Sequence, residues 1–197
     1  MKNKFNTLFI RITLMIFSIL LFSIPSFSEE KMHDHSNMKA NENHSEMNKD
    51  RIKLDETILK SLETVITEDK ILHDILFNEK LEPLSVQVNI ILNKINTTKK
   101  LLNKSHEKLT ELLLNIEKDL KALNNSKLHS SKLEHFGKAN QKLIQVLMKY
   151  EVSKEFNGFY CTMAKMPWID KGKEVKNPYY PKKMPKCGTL VYDAKKE

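Results

Sequence analysis

Cysteine, glycine and tryptophan are all scarce in this chain. Two cysteines, four glycines and a single tryptophan stand among 197 residues. So few glycines, none clustered, exclude a Gly-rich phosphate loop. The two cysteines, Cys161 and Cys187, do not form the closely spaced pair at a helix start that a thiol oxidoreductase uses. No nucleophile–base pair or carboxylate pair stands at usable spacing, so the sequence predicts no enzyme. Long apolar runs are lacking too, with one exception at the start of the chain.

That exception is "ITLMIFSILLFSIP", residues 12–25, preceded by Lys2, Lys4 and Arg11 and followed by Ser26, Phe27 and Ser28. A basic start, an apolar stretch and a small-x-small end describe a secretory signal peptide. Cleavage after Ser28 is expected, giving an exported, periplasmic protein with no stable membrane span. No cysteine lies near the cleavage point, which argues against a lipid anchor. Removing residues 1–28 leaves thirty basic against 25 acidic residues, a net charge of +5. The excess is spread along Lys-rich segments and forms no patch, so nucleic acid is not an expected partner.

Residues 29–50 lack a helical apolar stripe and read as a disordered arm. The arm repeats one phrase, His35-Ser36-Asn37-Met38 and His44-Ser45-Glu46-Met47, with Met32 and His33 just upstream. Imidazole nitrogen and thioether sulfur remain competent ligands where thiols oxidise, and thioether favours Cu(I) or Ag(I) over harder ions. Met32, His33, His35, Met38, His44 and Met47 are therefore candidate metal ligands. The competing reading is a polar linker in an Asn- and Lys-rich chain.

Residues 51–153 change to helical periodicity. Leu54, Ile58, Leu62, Val65, Ile66, Ile71, Leu72, Ile75 and Leu76 recur at three- and four-residue steps, with a break expected near residues 67–70. Pro83 suits the first turn of a second helix striped with Leu84, Val88, Ile91, Leu92 and Ile95. Leu109, Leu112, Leu113, Ile116 and Leu120 mark a third helix over about residues 105–123. "SKLE", residues 131–134, has the form of a capping box, opening a fourth helix with Leu133, Phe136, Leu143, Val146, Leu147 and Tyr150 inward. Four helices with short polar links predict an all-α fold, an antiparallel bundle. The stripes carry no ionisable residue pointing inward on two facing helices. His73, His106, His129 and His135 stand singly and read as surface or satisfied residues.

Residues 154–197 concentrate glycine, proline and aromatic rings, which predicts a loop cap folded onto the bundle as part of one domain, with "TLVY" (residues 189–192) as a short strand. The cap offers Cys161-x-Met163-x-x-Met166 on one side of "NPYY" and Met184-x-x-Cys187 on the other. Two readings stay open. A disulfide would close a loop of 27 residues, stabilising the fold by about 3–4 kcal/mol. Alternatively Cys161, Met163, Met184 and Cys187, with Met166 as a further ligand, would hold a soft ion behind Trp168 and the tyrosines.

The order Tyr160-Cys161-x-Met163, Trp168, Asn177-Pro178-Tyr179-Tyr180, Met184-x-x-Cys187-Gly188 resembles domain of unknown function 3347, as does "HF…ANQKLIQVL" over residues 135–147. That family occurs in exported bacterial proteins and beside, or fused with, periplasmic adaptors of heavy-metal efflux pumps. The chain departs from it at Thr162 and Pro181, in a shorter segment before Trp168, and in having Met166. The resemblance implies structural roles for Trp168, Asn177, Pro178, Tyr179 and Gly188, and metal-efflux surroundings. The arm's His-x-x-Met phrases are similar to those of periplasmic copper- and silver-resistance proteins. Together these predict a non-enzymatic copper or silver binder acting in metal resistance or efflux. The alternative is an envelope interaction module, docked on an efflux adaptor, with Cys161–Cys187 as a structural disulfide.

Overall fold

Four helices form where the helical periodicity places them, but the segment after them is not a loop cap. In the computed structural model, which describes residues 51–195, helices α1 (Glu56–Phe77), α2 (Leu84–Leu101), α3 (Glu107–Asn125) and α4 (His129–Lys149) precede three strands. The strands are β1 (Phe156–Cys161), β2 (Met166–Lys171) and β3 (Thr189–Tyr192), in the antiparallel order β2-β1-β3. The fold is therefore mixed α and β, and the all-α expectation is corrected. The expected signal peptide and arm, with the candidate ligands Met32, His33, His35, Met38, His44 and Met47, lie outside the described residues.

The links between helices are too short for anything but a reversal, so successive helices pack side by side. The expected stripes supply the core: Ile58, Leu62, Leu72, Val88, Ile91, Ile95, Leu109, Leu113, Ile116 and Leu120 are all buried. Ile71 is instead exposed. No break interrupts α1 at residues 67–70, where the hydrogen-bonded helix continues through Asp69 and Lys70. The expected capping box at residues 131–134 falls inside α4, which starts at His129. A capping box forms at Asn103 and His106, on the 3-10 turn that leads into α3. Among the described residues no helix is long and apolar enough to cross a membrane.

The sheet docks through β2, which packs against both α4 and α1. Gly158 in β1 makes close approach possible on the helix side, since a Cβ there would meet Ile144 Cδ1 at 3.0 Å. Gly137 in α4 does the same for β2: a Cβ would lie 2.6 Å from Met166 Sδ. Two glycines, one on each layer, thus let backbone and side chains of sheet and helix meet without a gap. Phe156, Phe159, Trp168 and Ile169 are buried and join the helical stripes in one core.

The sequence hid the sheet for a physical reason. β1 and β2 are buried along nearly their whole length, so neither shows the alternation that marks a half-exposed strand. Proline at the second position of β2 and glycine in the middle of β1 also argue against strands when read locally.

Candidate functional site

The β1–β2 hairpin turns over Thr162, Met163, Ala164 and Lys165, and Lys165 closes it with a positive φ of 55°. The register pairs Cys161 with Met166 and Phe159 with Trp168. Directly paired residues of antiparallel strands project to the same face, and Phe159 and Trp168 accordingly stack with centroids 5.4 Å apart. The hairpin therefore fixes which methionine accompanies Cys161. Met166 is its cross-strand partner, whereas Met163 sits on the turn with 64 % of its surface exposed.

Asn177 ties the second half of the site to the first. Its side chain is fully buried. Nδ2 donates to the Cys187 carbonyl at 2.8 Å and to Cys161 Sγ at 3.3 Å. Oδ1 accepts from the Tyr179 N–H at 2.9 Å, an Asx turn that holds the Asn-Pro-Tyr bend. The backbone N–H of Asn177 donates to the Pro185 carbonyl at 2.8 Å. A second donor, the Ala164 N–H, reaches Cys161 Sγ at 3.4 Å. Met184 is placed by its N–H on the Tyr180 carbonyl (2.9 Å), and its own carbonyl accepts from the Cys187 N–H (3.1 Å). Cys161 is buried, Cys187 is half-buried, and both are free thiols.

Aromatic contacts tie this cap together. The Tyr179 hydroxyl donates to the Pro167 carbonyl at 2.5 Å. Its ring meets Trp168 edge-on at 6.1 Å and Phe136 of α4 at 6.2 Å. Gly188 abuts the outer edge of the indole, where a Cβ would come within 2.4 Å of Trp168 Cη2. Trp168, Asn177, Pro178, Tyr179 and Gly188 pack together in this segment. Asn177 and Gly188 hold the Cys187 segment, Trp168 and Tyr179 form the wall, and Pro178 is buried in the bend between them.

Three buried polar residues lock the cap to the bundle, two of them, Asp69 and Asn140, passed over by the stripe reading. Asp69 and His73 in α1 and Asn140 in α4 are all fully buried. Asn140 Oδ1 accepts from the Ile169 N–H of β2 at 2.8 Å, while its Nδ2 donates to Asp69 Oδ1 at 3.3 Å. His73 Nε2 bonds the Lys176 carbonyl at 2.8 Å, just before Asn177. His73 is thus the satisfied histidine expected of it. Burial pushes the Asp69 carboxyl up to about 7, with the Asn140 hydrogen bond opposing the rise. The Tyr179 hydroxyl is pushed well above its ordinary range by burial, then by the negative charges available to Asp69 and Cys161, which face it from α1 and β1. Lys70 spans Asp74 (2.6 Å) and Asp170 of β2 (3.4 Å) at the rim. A helical period of three to four linking Asp69 and His73 to the Leu stripe was the available signal for these residues.

The donor set available to an ion here is soft. Cys161, Met166, Cys187 and Met184 belong to two backbone segments held together by Asn177, and thiolate with thioether is the ligand chemistry of Cu(I) and Ag(I). N–H groups directed at a cysteine sulfur are the partners that metal thiolates use in their surroundings. Among the described residues no group of three or more His, Cys, Asp or Glu side chains comes together to hold a metal ion. No protein-family model, curated protein or solved structure matches this chain.

Proposed function

We propose that this protein is an exported, non-enzymatic binder of soft metal ions, Cu(I) or Ag(I), that buffers or delivers them in heavy-metal resistance or efflux. One observation carries the reading: a single buried amide, Asn177, touches Cys161 Sγ and the carbonyl of Cys187, while Met166 stands opposite Cys161. The cap contributes Cys161, Cys187, Met166 and Met184, beside the buried rings of Trp168 and Tyr179. Met163 on the exposed turn serves as an entry ligand. The arm ligands Met32, His33, His35, Met38, His44 and Met47 capture ions from the periplasm and pass them to the cap, and an efflux adaptor is the receiving partner.

The test is an anaerobic titration of the reduced, mature chain with Cu(I) against a competing chelator. One tightly held ion that is lost in Cys161→Ala and Met166→Ala supports the reading. Unchanged uptake in both variants contradicts it.

A second reading, an interaction module of the cell envelope, draws on the outer strand β3. Leu190 and Val191 are 40 % and 41 % exposed there, and among the described residues β3 pairs only with β1. An exposed strand edge is a site where an extended segment of another protein adds by backbone pairing. Val191→Lys would abolish such an association and leave metal uptake unchanged.

A further inference from the structure

We propose that Asp69 works a proton-operated latch between the bundle and the sheet. With its carboxyl protonated, β2 stays docked on α1 and α4; with the carboxyl ionised, β2 and the segment it carries are released. The latch stands independently of the metal-binding reading, although Met166, a ligand in that reading, lies on the strand that moves.

Three elements meet on one buried chain of hydrogen bonds. Asn140 of α4 accepts from the Ile169 N–H of β2 at 2.8 Å and donates to Asp69 Oδ1 of α1 at 3.3 Å. Its Nδ2 also donates to the Phe136 carbonyl at 3.2 Å, so the amide has no further donor for the carboxyl. Asp69 Oδ2 is buried with no hydrogen-bond partner among the described residues. Beside this chain β2 is seated closely, since a Cβ on Gly137 of α4 would lie 2.6 Å from Met166 Sδ. The junction is tightly packed, yet it leaves one carboxyl oxygen unsatisfied. Such a group is costly to bury and marks a junction that can part.

The surrounding groups do not compensate an ionised Asp69. On its own helix, Lys70 is committed to Asp74 and to Asp170 of β2, and His73 bonds Asp74 and the Lys176 carbonyl. From α2 comes the neutral Gln87, bonded to the carbonyl and carboxylate of Glu68, and from α4 the neutral Asn140. From the cap comes Tyr179, whose hydroxyl is pushed well above its ordinary range by burial, then by Asp69 and by Cys161 of β1. It stays protonated and adds no charge. A carboxylate buried with a single neutral donor is unfavourable, and burial accordingly holds the Asp69 carboxyl near 7. Parting β2 from α4 gives up the Ile169–Asn140 bond and admits water, which returns Asp69 towards 3.8. Between those values the closed form keeps a proton that the open form has lost. Opening therefore becomes easier as pH rises from about 4 to about 7, and levels off above that.

The experiment follows hydrogen exchange by mass spectrometry in the full mature chain, free of metal, from about pH 5 to about pH 8. The intrinsic exchange rate at each pH is divided by the observed rate to give the protection of each segment. In the wild type, protection of β2 should fall about tenfold per pH unit up to about pH 7, the slope of one proton, and level off above. It should stay below the protection of α3 throughout, as local opening requires. Asp69→Asn should remove the pH dependence from β2, and His73→Gln should keep it. Wild-type protection of β2 that does not change with pH overturns the proposal. Equal protection of β2 and α3 also overturns it, because Asp69 is then freed only when the whole chain unfolds. A fall that persists in Asp69→Asn, or disappears in His73→Gln, places the proton on another group and overturns it too. The wild-type profile decides by itself where Asp69→Asn fails to fold.

Discussion

The Asn177 side-chain amide donates to Cys161 Sγ at 3.3 Å across sixteen residues of sequence, from a site with no exposure to water. The same nitrogen satisfies the Cys187 carbonyl, and the carbonyl oxygen of the side chain satisfies Tyr179. Asn177→Ala removes all three bonds at once and leaves buried groups without partners. The expected cost is about 1–3 kcal/mol for each group stranded, seen as a lower urea midpoint with an unchanged slope. Asn177→Asp keeps the acceptor for Tyr179 but loses both donations, so it should not restore the wild-type midpoint.

The two candidate methionines of the hairpin should separate cleanly. Met163→Ala, on the exposed turn, should shift stability by no more than about 0.5 kcal/mol. Met166→Ala opens space between β2 and Gly137 of α4 and should cost about 1–3 kcal/mol. Guanidinium denaturation of both variants, followed by circular dichroism, checks the contrast. Equal effects would contradict the placement of Met166 as the partner of Cys161.

Asp69 sets a pH dependence of definite sign. Its folded pKa, near 7, lies above the 3.8 of the free side chain, so the native state binds more protons between those values. Stability contributed by this group is greatest below about pH 4 and falls as pH rises towards 7. Asp74, held down to about 2 by its hydrogen bonds to His73 and Lys70 against the effect of burial, acts in the opposite sense and only below pH 4. Asp69→Asn should therefore flatten the fall in Tm between pH 4 and 7 while leaving the acid limb in place. Thermal melts across that range measure it, and an unchanged slope would show that Asp69 is ionised in the native state.

Trp168 is the only tryptophan in the chain, so its fluorescence reports on the cap alone. Gly188→Ala forces a methyl group onto the indole, and overpacking of this kind costs about 1–3 kcal/mol. The emission should shift to longer wavelength as the ring is displaced towards solvent. A variant with wild-type emission and stability would mean that the Gly188 segment can move off the ring without loss.

How much of this was legible in the chain differs by element, for reasons of periodicity. The helical stripes were visible because one face of each helix is apolar and the other is wet. Ile58, Leu62, Val65 and Ile66 show the pattern, and the same period identified three further helices. The sheet was not visible, because β1 and β2 are covered on both faces and interrupted by Gly158 and Pro167. Only β3, with its exposed Thr189, Leu190 and Val191, was marked as a short strand by the sequence. Cys161, Cys187 and Met184 stood out by residue type. The choice between Met163 and Met166 required the hairpin register, which depends on where the turn closes. Asp69 and Asn140 were hidden because a buried polar pair looks, in sequence, like two surface residues until its partners are brought together.

The central claim is that the cap, held by Asn177, is the high-affinity site and that the arm feeds it. The most direct measurement counts Cu(I) retained anaerobically, against a competing chelator, by three reduced full-length mature proteins. These are the wild type, the double variant Cys161→Ser/Cys187→Ser, and a variant with Met32, His33, His35, Met38, His44 and Met47 all changed to Ala. The account predicts that the arm variant keeps one tightly held ion and the cysteine variant loses it. Retention of that ion by the cysteine variant, or its loss from the arm variant, would contradict the account.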